Sequence, residues 1–276
     1  MIRMKDIRLI AMDMDGTLLN SRQELSPGNA AALRAAQEAG VKLAISSGRG
    51  PGDNALFAQT HGFPQWAILS LNGAYCLETP TSPPYVNHLL KQESAVVAVR
   101  WLEESGMTFG CFLQNQIAVF QGDHYDDSFF WSSDWGDQPG APVYLKGRDA
   151  FDRAFQKGMN KIVCLEENAQ KLRSMWQRLE SLPGLEITTS WPSNLEVMPK
   201  GVSKGGAVKE LAEKMGISPE QVMTLGDYDN DLSMIEYAGY GVAMANATAN
   251  VKKAAKFETL DNDQDGVAAA IRRFAL

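Results

Sequence analysis

Long apolar runs, basic clusters and cysteine are what this chain of 276 residues has least of. Its longest apolar stretches, such as Val41–Ser46 and Trp66–Leu71, fall far short of the roughly 20 residues that cross a bilayer. The opening MIRMKDIRLIAMDMDG meets charge again before its apolar run reaches signal-peptide length, so neither secretion nor a membrane partner is expected. Lys and Arg total 26 against 33 Asp and Glu, a net charge of −7, and no Lys/Arg block is present. With a pI near 5.1, the balance is the reverse of what a phosphate-backbone binder needs, which argues against nucleic acid. Cys76, Cys111 and Cys164 are odd in number, scattered and set among apolar residues. They read as reduced core thiols of a cytoplasmic protein. His61, His88 and His124 are isolated, and no zinc-ligand spacing joins them to the cysteines.

What is present is an ordinary globular composition, 45% hydrophobic and 21% charged, at a length that suits one large domain or two smaller ones. Short β-branched runs alternate with helix-period stretches. Arg8–Met12, Val41–Ile45 and Ala67–Leu71 read as strands, and Ser26-Pro27 opens a helix that closes at Gly40. Near the C-terminus come a helix over Ser203–Met215, strands at Val222–Leu225 and Gly241–Ala243, and a last helix over Gly266–Phe274. Such alternation predicts an α/β fold, a doubly wound parallel sheet covered on both faces. The middle differs, with hairpin-like strands at Thr108–Leu113 and Ile117–Gln121 among helices. This predicts an α+β module inserted at residues 85–191, with the core split into residues 1–84 and 192–276. Pro83-Pro84 and Trp191-Pro192 mark the junctions.

Asp13-Met14-Asp15-Gly16-Thr17 directly follows the first buried strand. Ligands of open parallel sheets bind at the carboxyl ends of the strands, and two carboxylates leaving a strand there are expected to face one pocket. Like charges so close are unfavourable unless a proton or a cation intervenes, which predicts a hard divalent metal, Mg²⁺. Ser47-Gly48-Arg49 ends the second strand with a hydroxyl and backbone N–H groups suited to an anion. Lys204 stands at a helix start, where a positive charge can meet phosphate. Gly226-Asp227-Tyr228-Asp229-Asn230-Asp231 places further carboxylates at another strand end.

The order of these motifs resembles the haloacid dehalogenase superfamily of phosphohydrolases, and within it the Cof-type sugar-phosphatase-like branch. The resemblance rests on MDMDGTLL, the SGR after the second strand, VMPKGVSKGGAV and TLGDYDNDLSMIEYAGYGVAMANA. It implies a Rossmann-like core carrying a C2-type cap between the second and third motifs. Spacing agrees: a helix and a strand fill the interval from Asp13 to Ser47, whereas the interval from Ser47 to Lys204 has room for a domain. It implies further that Asp13 attacks phosphorus and that Asp15 protonates the leaving group. Ser47, Gly48, Lys204 and Asn230 would hold the phosphoryl group. Mg²⁺ would be held by Asp13, the backbone carbonyl of Asp15 and Asp227, with Asp231 orienting from behind. The substrate would be a small phosphate ester such as a sugar phosphate. In the inserted module, the aromatic-acidic stretch His124–Trp131 reads as core of a small domain, with the lining of a sugar-sized pocket as the second reading. Oligomeric state is not readable.

Other readings fit less well. Asp227-Asp229-Asp231 lacks the Gly and Glu of a calcium loop, and Asp261-Asp263-Asp265-Gly266 has Arg272 where the bidentate Glu belongs. No Gly-x-Gly-x-x-Gly follows the first strand, which excludes a dinucleotide fingerprint. A non-catalytic phospho-receiver would need neither Asp15 as acid nor so large an insertion. A sugar phosphomutase shares the chemistry and differs in what accepts the phosphoryl group.

Overall fold

The structure, a computed structural model, describes residues 6–121 and 138–276. The stretch His124–Trp131, read as module core or pocket lining, lies outside the described residues. The first sheet begins with β1 (Leu9–Met12), β2 (Lys42–Ser46), β3 (Ala67–Ser70), β4 (Tyr75–Leu77) and β5 (Pro84–Asn87). An inserted sheet follows, made of β6 (Thr108–Leu113), β7 (Gln116–Phe120), β8 (Val143–Leu145), β9 (Lys161–Leu165), β10 (Leu185–Thr188) and β11 (Asn194–Pro199). The chain then returns to the first sheet through β12 (Val222–Gly226), β13 (Tyr240–Ala243) and β14 (Phe257–Glu258).

The first sheet runs β14-β13-β12-β1-β2-β3-β4-β5, parallel except for the β3–β4–β5 edge. Every residue of β1 is buried, as expected of a strand covered on both faces. The two-residue alternation sends Ile10 and Met12 to one face and Leu9 and Ala11 to the other. On the first face lie the helices α1 (Pro27–Glu38) and α2 (Pro51–Thr60). Ser26 caps α1 by accepting from the N–H of Asn29, and Pro27 supplies its first turn. Strand order reverses between β1 and β12, because β2 and β3 build outward on one side and β13 and β14 on the other. That reversal leaves a crevice beyond the carboxyl ends of β1 and β12.

In the inserted sheet the order is β10-β11-β9-β6-β7-β8, antiparallel apart from β7–β8. One face packs on α3 (Gln92–Ser105), α4 (Arg148–Phe155) and α5 (Ala169–Glu180). The other meets the first domain: Phe112, Ile117, Val163, Leu165 and Met198 form a buried cluster with Leu71 and Ala74 of the β3–β4 turn. After β11, α6 (Lys204–Lys214) packs Val208 and Leu211 onto the second face of the first sheet. Then come α7 (Leu232–Tyr237), α8 (Ala249–Ala254) and α9 (Gly266–Phe274).

Sheet membership moves both ends of the predicted insertion. Tyr85 lies in β5, which pairs with β4 of the first sheet, so the insertion begins after Asn87. Asn194–Pro199, expected to rejoin the core, is a central strand of the second sheet. Trp191-Pro192 therefore marks the β10–β11 turn rather than a junction.

Candidate active site

Asp13 is the first residue beyond β1 and Asp227 the first beyond β12. Adjacent pairing holds them together: Met12 lies opposite Leu225, and the Asp13 N–H donates to the Leu225 carbonyl at 3.1 Å. Helix α6 brings Lys204 in at its first turn, where Ser203 caps the helix on the N–H of Gly206. The Lys204 ammonium donates to Asp13 Oδ1 at 2.8 Å and to Asp231 Oδ1 at 2.7 Å. The other oxygen of Asp231 accepts the N–H groups of Asp227 (2.9 Å) and Tyr228 (3.1 Å). Asp227 is steadied by Thr17, whose hydroxyl donates to Oδ1 at 2.7 Å. Oxygens of Asp13, Asp227 and Asp231 all lie within 4.8 Å of one another. Gly16 is required here. It adopts φ +73°, and a Cβ would collide with the Asp227 carboxylate.

Charge is unbalanced in this cluster. Three buried or half-buried carboxylates face one buried ammonium. Burial pushes Asp13 well above the ordinary carboxylate range; Lys204 opposes this, while Asp231, Asp227 and Asp15 add to it. Burial, with Asp231 beside it, pushes Asp227 up to about 7. Burial works against the Lys204 charge, but Asp13 and Asp231 outweigh it and raise the group above the usual lysine range.

The carboxylates suit a hard divalent cation. Lys204 takes one oxygen of Asp13 and Thr17 one oxygen of Asp227, and the second oxygen of each has no hydrogen-bond partner among the described residues. Both oxygens of Asp231 are already engaged, which suits a residue that orients others.

Asp15 does not share the Asp13 pocket as directly as expected. Beyond the extended Asp15, Gly16 turns the backbone, and the Asp15 carboxylate lies half exposed against Arg49. Arg49 Nε donates to its Oδ2 at 2.8 Å, a second guanidinium N–H reaches Oδ1, and Arg49 is itself held by Gln23 at 2.7 Å. Ser47 is buried: its hydroxyl oxygen accepts the Arg49 N–H at 3.2 Å, and its own N–H is spent on Leu69. The Gly48 carbonyl accepts from Lys161 at 3.1 Å. Asn230 reaches Asn72 at 3.5 Å, while its buried Oδ1 has no partner among the described residues.

Sequence reasoning missed Arg49 as a partner of Asp15, and it missed Lys161, Glu196 and Asn72 altogether. A signal for Lys161 existed: a lysine at the head of the otherwise apolar strand Lys161–Leu165 needs a buried partner. The three cysteines are free and buried as expected, and burial raises each thiol above its ordinary range.

Comparison with known proteins completes the assignment. The sequence profile of the haloacid dehalogenase-like hydrolases matches residues 10–271. The chain is 32% identical to the phosphatase YwpJ of Bacillus subtilis, over 95% of this chain and 98% of that protein. It is 30% identical to the pyridoxal phosphate phosphatase YbhA of Escherichia coli, over 95% and 96% of the two chains. Among solved structures, a haloacid dehalogenase-like hydrolase from Bacteroides thetaiotaomicron superposes with a TM-score of 0.82 at 30% identity, covering 97% of this chain and 99% of that one. The HAD subclass IIB sugar phosphatase BT4131 gives a TM-score of 0.81 at 25% identity, over 97% and 98%. The chain belongs to the haloacid dehalogenase-like hydrolase family. It is a phosphatase, acting on phosphorylated substrates.

Proposed function

We propose that the protein is a Mg²⁺-dependent phosphomonoesterase that cleaves small phosphorylated metabolites through an aspartyl phosphate on Asp13. One observation carries this reading: a buried aspartate at the switch point of the sheet, bonded to Lys204 and crowded by two further carboxylates with charge left uncompensated. Asp13, the backbone carbonyl of Asp15 and Asp227 would hold Mg²⁺. Bound there, the ion supplies the positive charge that lets an anionic nucleophile approach an anionic ester.

In this reading an Asp13 oxygen attacks phosphorus, and the bond from phosphorus to the ester oxygen breaks. Asp15 delivers a proton to the departing oxygen. It later takes one from the water that attacks the aspartyl phosphate, which frees phosphate and restores Asp13. To do so it has to leave Arg49. Lys204, the Ser47 hydroxyl, Gly48 and Asn230 steady the phosphoryl oxygens, so positioning and charge carry most of the rate. The inserted module contacts the leaving group and excludes water. Relatives named for pyridoxal phosphate and for a phosphoribitylaminouracil support metabolites of that size. The free buried thiols support a cytoplasmic setting. A panel of phosphate esters assayed with Mg²⁺ and with EDTA tests the proposal: metal-dependent release of phosphate from small esters is expected, and undiminished release in chelator would contradict it.

A further inference from the structure

Lys161 and Glu196 belong to the inserted sheet, yet both point away from its own helices. On β9, Ile162 and Cys164 face those helices while Val163 and Leu165 face the first domain. On β11, Leu195 and Val197 face the helices and Met198 the first domain. The two-residue period therefore turns Lys161 and Glu196 toward the first domain. Glu196 pairs with Val163, two residues along from Lys161, which sets the two charges diagonally on one face. They meet at 2.9 Å, and each is at most 2% exposed.

Both charges also reach across to the loops of the catalytic core. Lys161 donates to the Gly48 carbonyl at 3.1 Å. Glu196 accepts from the Asn72 side-chain amide, besides Ser190 within its own module. Asn72 is buried at the β3–β4 turn, where Leu71, Asn72 and Gly73 have φ of +52°, +53° and +96°. Left-handed backbone at a leucine is unfavourable and persists only where its surroundings enforce it. Here the turn braces the phosphate loop: Asn72 N–H donates to Ser47 at 3.0 Å and Leu71 N–H to Arg49 at 3.1 Å. The side-chain oxygen of Asn72 accepts from Asn230 at 3.5 Å. A Cβ on Gly48 would sit 3.1 Å from the Lys161 ammonium and 3.2 Å from the Asn72 oxygen, so this loop is closed in from both domains.

We propose that Lys161, Glu196 and Asn72 are positioning residues, which clamp Gly48 and Asn230 so that the phosphate site takes its working shape only when the inserted module is docked. The proposal rests on the phosphatase reading. A buried ion pair adds little net stability over an apolar pair of similar size, and holding specific groups in place is the better use of it. Burial works against the Glu196 charge, but Lys161, Ser190 and Asn72 outweigh it and keep the carboxylate below its ordinary range.

Stability and positioning separate in two variants of the full chain. Lys161→Met/Glu196→Leu removes both charges together and is expected to unfold in urea near the wild-type midpoint. Asn72→Gly keeps the left-handed turn comfortable and deletes only the side chain. For each, kcat/KM on p-nitrophenyl phosphate and the affinity for inorganic phosphate with Mg²⁺ are expected to fall about tenfold or more. A merely structural role would leave both readouts unchanged in a variant of wild-type stability. Values within about twofold of wild type in whichever variants fold would overturn the clamp. Should the wild type hydrolyse no ester, the phosphatase reading fails, and the phosphate-affinity comparison still decides the clamp. A wild type that binds no phosphate overturns both.

Discussion

Lys204 donates to Asp13 at 2.8 Å from the first turn of α6, and the same ammonium reaches Asp231. It is the cation that opposes the rise in the Asp13 pKa caused by burial and the neighbouring carboxylates. Lys204→Met would strand two carboxylates, at a cost of about 3–5 kcal/mol. Chemical unfolding should show that loss in chelator. Added Mg²⁺ should recover part of the stability but not the turnover. A variant as stable as wild type without metal would contradict the pairing.

In the proposed reading Asp227 links metal and pH. Its folded-state pKa is raised from 3.8 to about 7, so over that interval the metal-free folded protein holds a proton that the unfolded chain has lost. Stability of the metal-free protein should therefore gain from this group at low pH and lose that gain as pH rises through about 7. Mg²⁺ should stabilise most where the carboxylate is ionised, so the Tm difference between Mg²⁺ and EDTA should widen across the same window. In Asp227→Asn the widening should shrink to what Asp13 contributes. A pH-independent difference would remove Asp227 from the cation site.

Arg49 and Asp15 suggest a division between good and poor leaving groups. Asp15→Asn should slow alkyl phosphates by about 10²–10⁴, because their alkoxides need a proton to depart. Aryl phosphates should lose less in their first step. Parallel kcat measurements check this. Equal losses for both classes would argue against Asp15 as the acid.

The corrected boundary of the insertion gives a sharper excision. Joining Asn87 to Gly201 through a short Gly/Ser linker keeps β5 in its sheet and removes β11 with its own. His88 and Gly201 line one cavity, so the cut ends are neighbours. The remaining core should cleave p-nitrophenyl phosphate slowly and lose its preference among metabolite esters. A preference ratio equal to that of the whole chain would show that the insertion does not select substrate.

Asp13, Lys204, Asp227 and Asp231 could be singled out as candidates in the sequence, because Asp13 and Asp227 directly follow buried strands, Lys204 starts a helix, and the order of the motifs carries the family resemblance that adds Asp231. Lys161, Glu196 and Asn72 were not. Lys161 meets Gly48 across 113 residues and Glu196 meets Asn72 across 124, and these contacts exist only once two sheets face each other. The strand Asn194–Pro199 ran into the third motif and so seemed to belong to the core, whereas its pairing with β9 and β10 assigns it to the insertion.

The central claim is that Asp13 itself becomes phosphorylated. Asp15→Asn protein, mixed with Mg²⁺ and an activated aryl phosphate and quenched in acid, should carry phosphate on a single peptide. Borohydride reduces an acyl phosphate to an alcohol, so mass spectrometry should then find homoserine in place of Asp13 and at no other aspartate. Turnover of the wild-type enzyme with no reducible acyl phosphate at Asp13, or with the label on Asp227 or Asp231, would contradict the account.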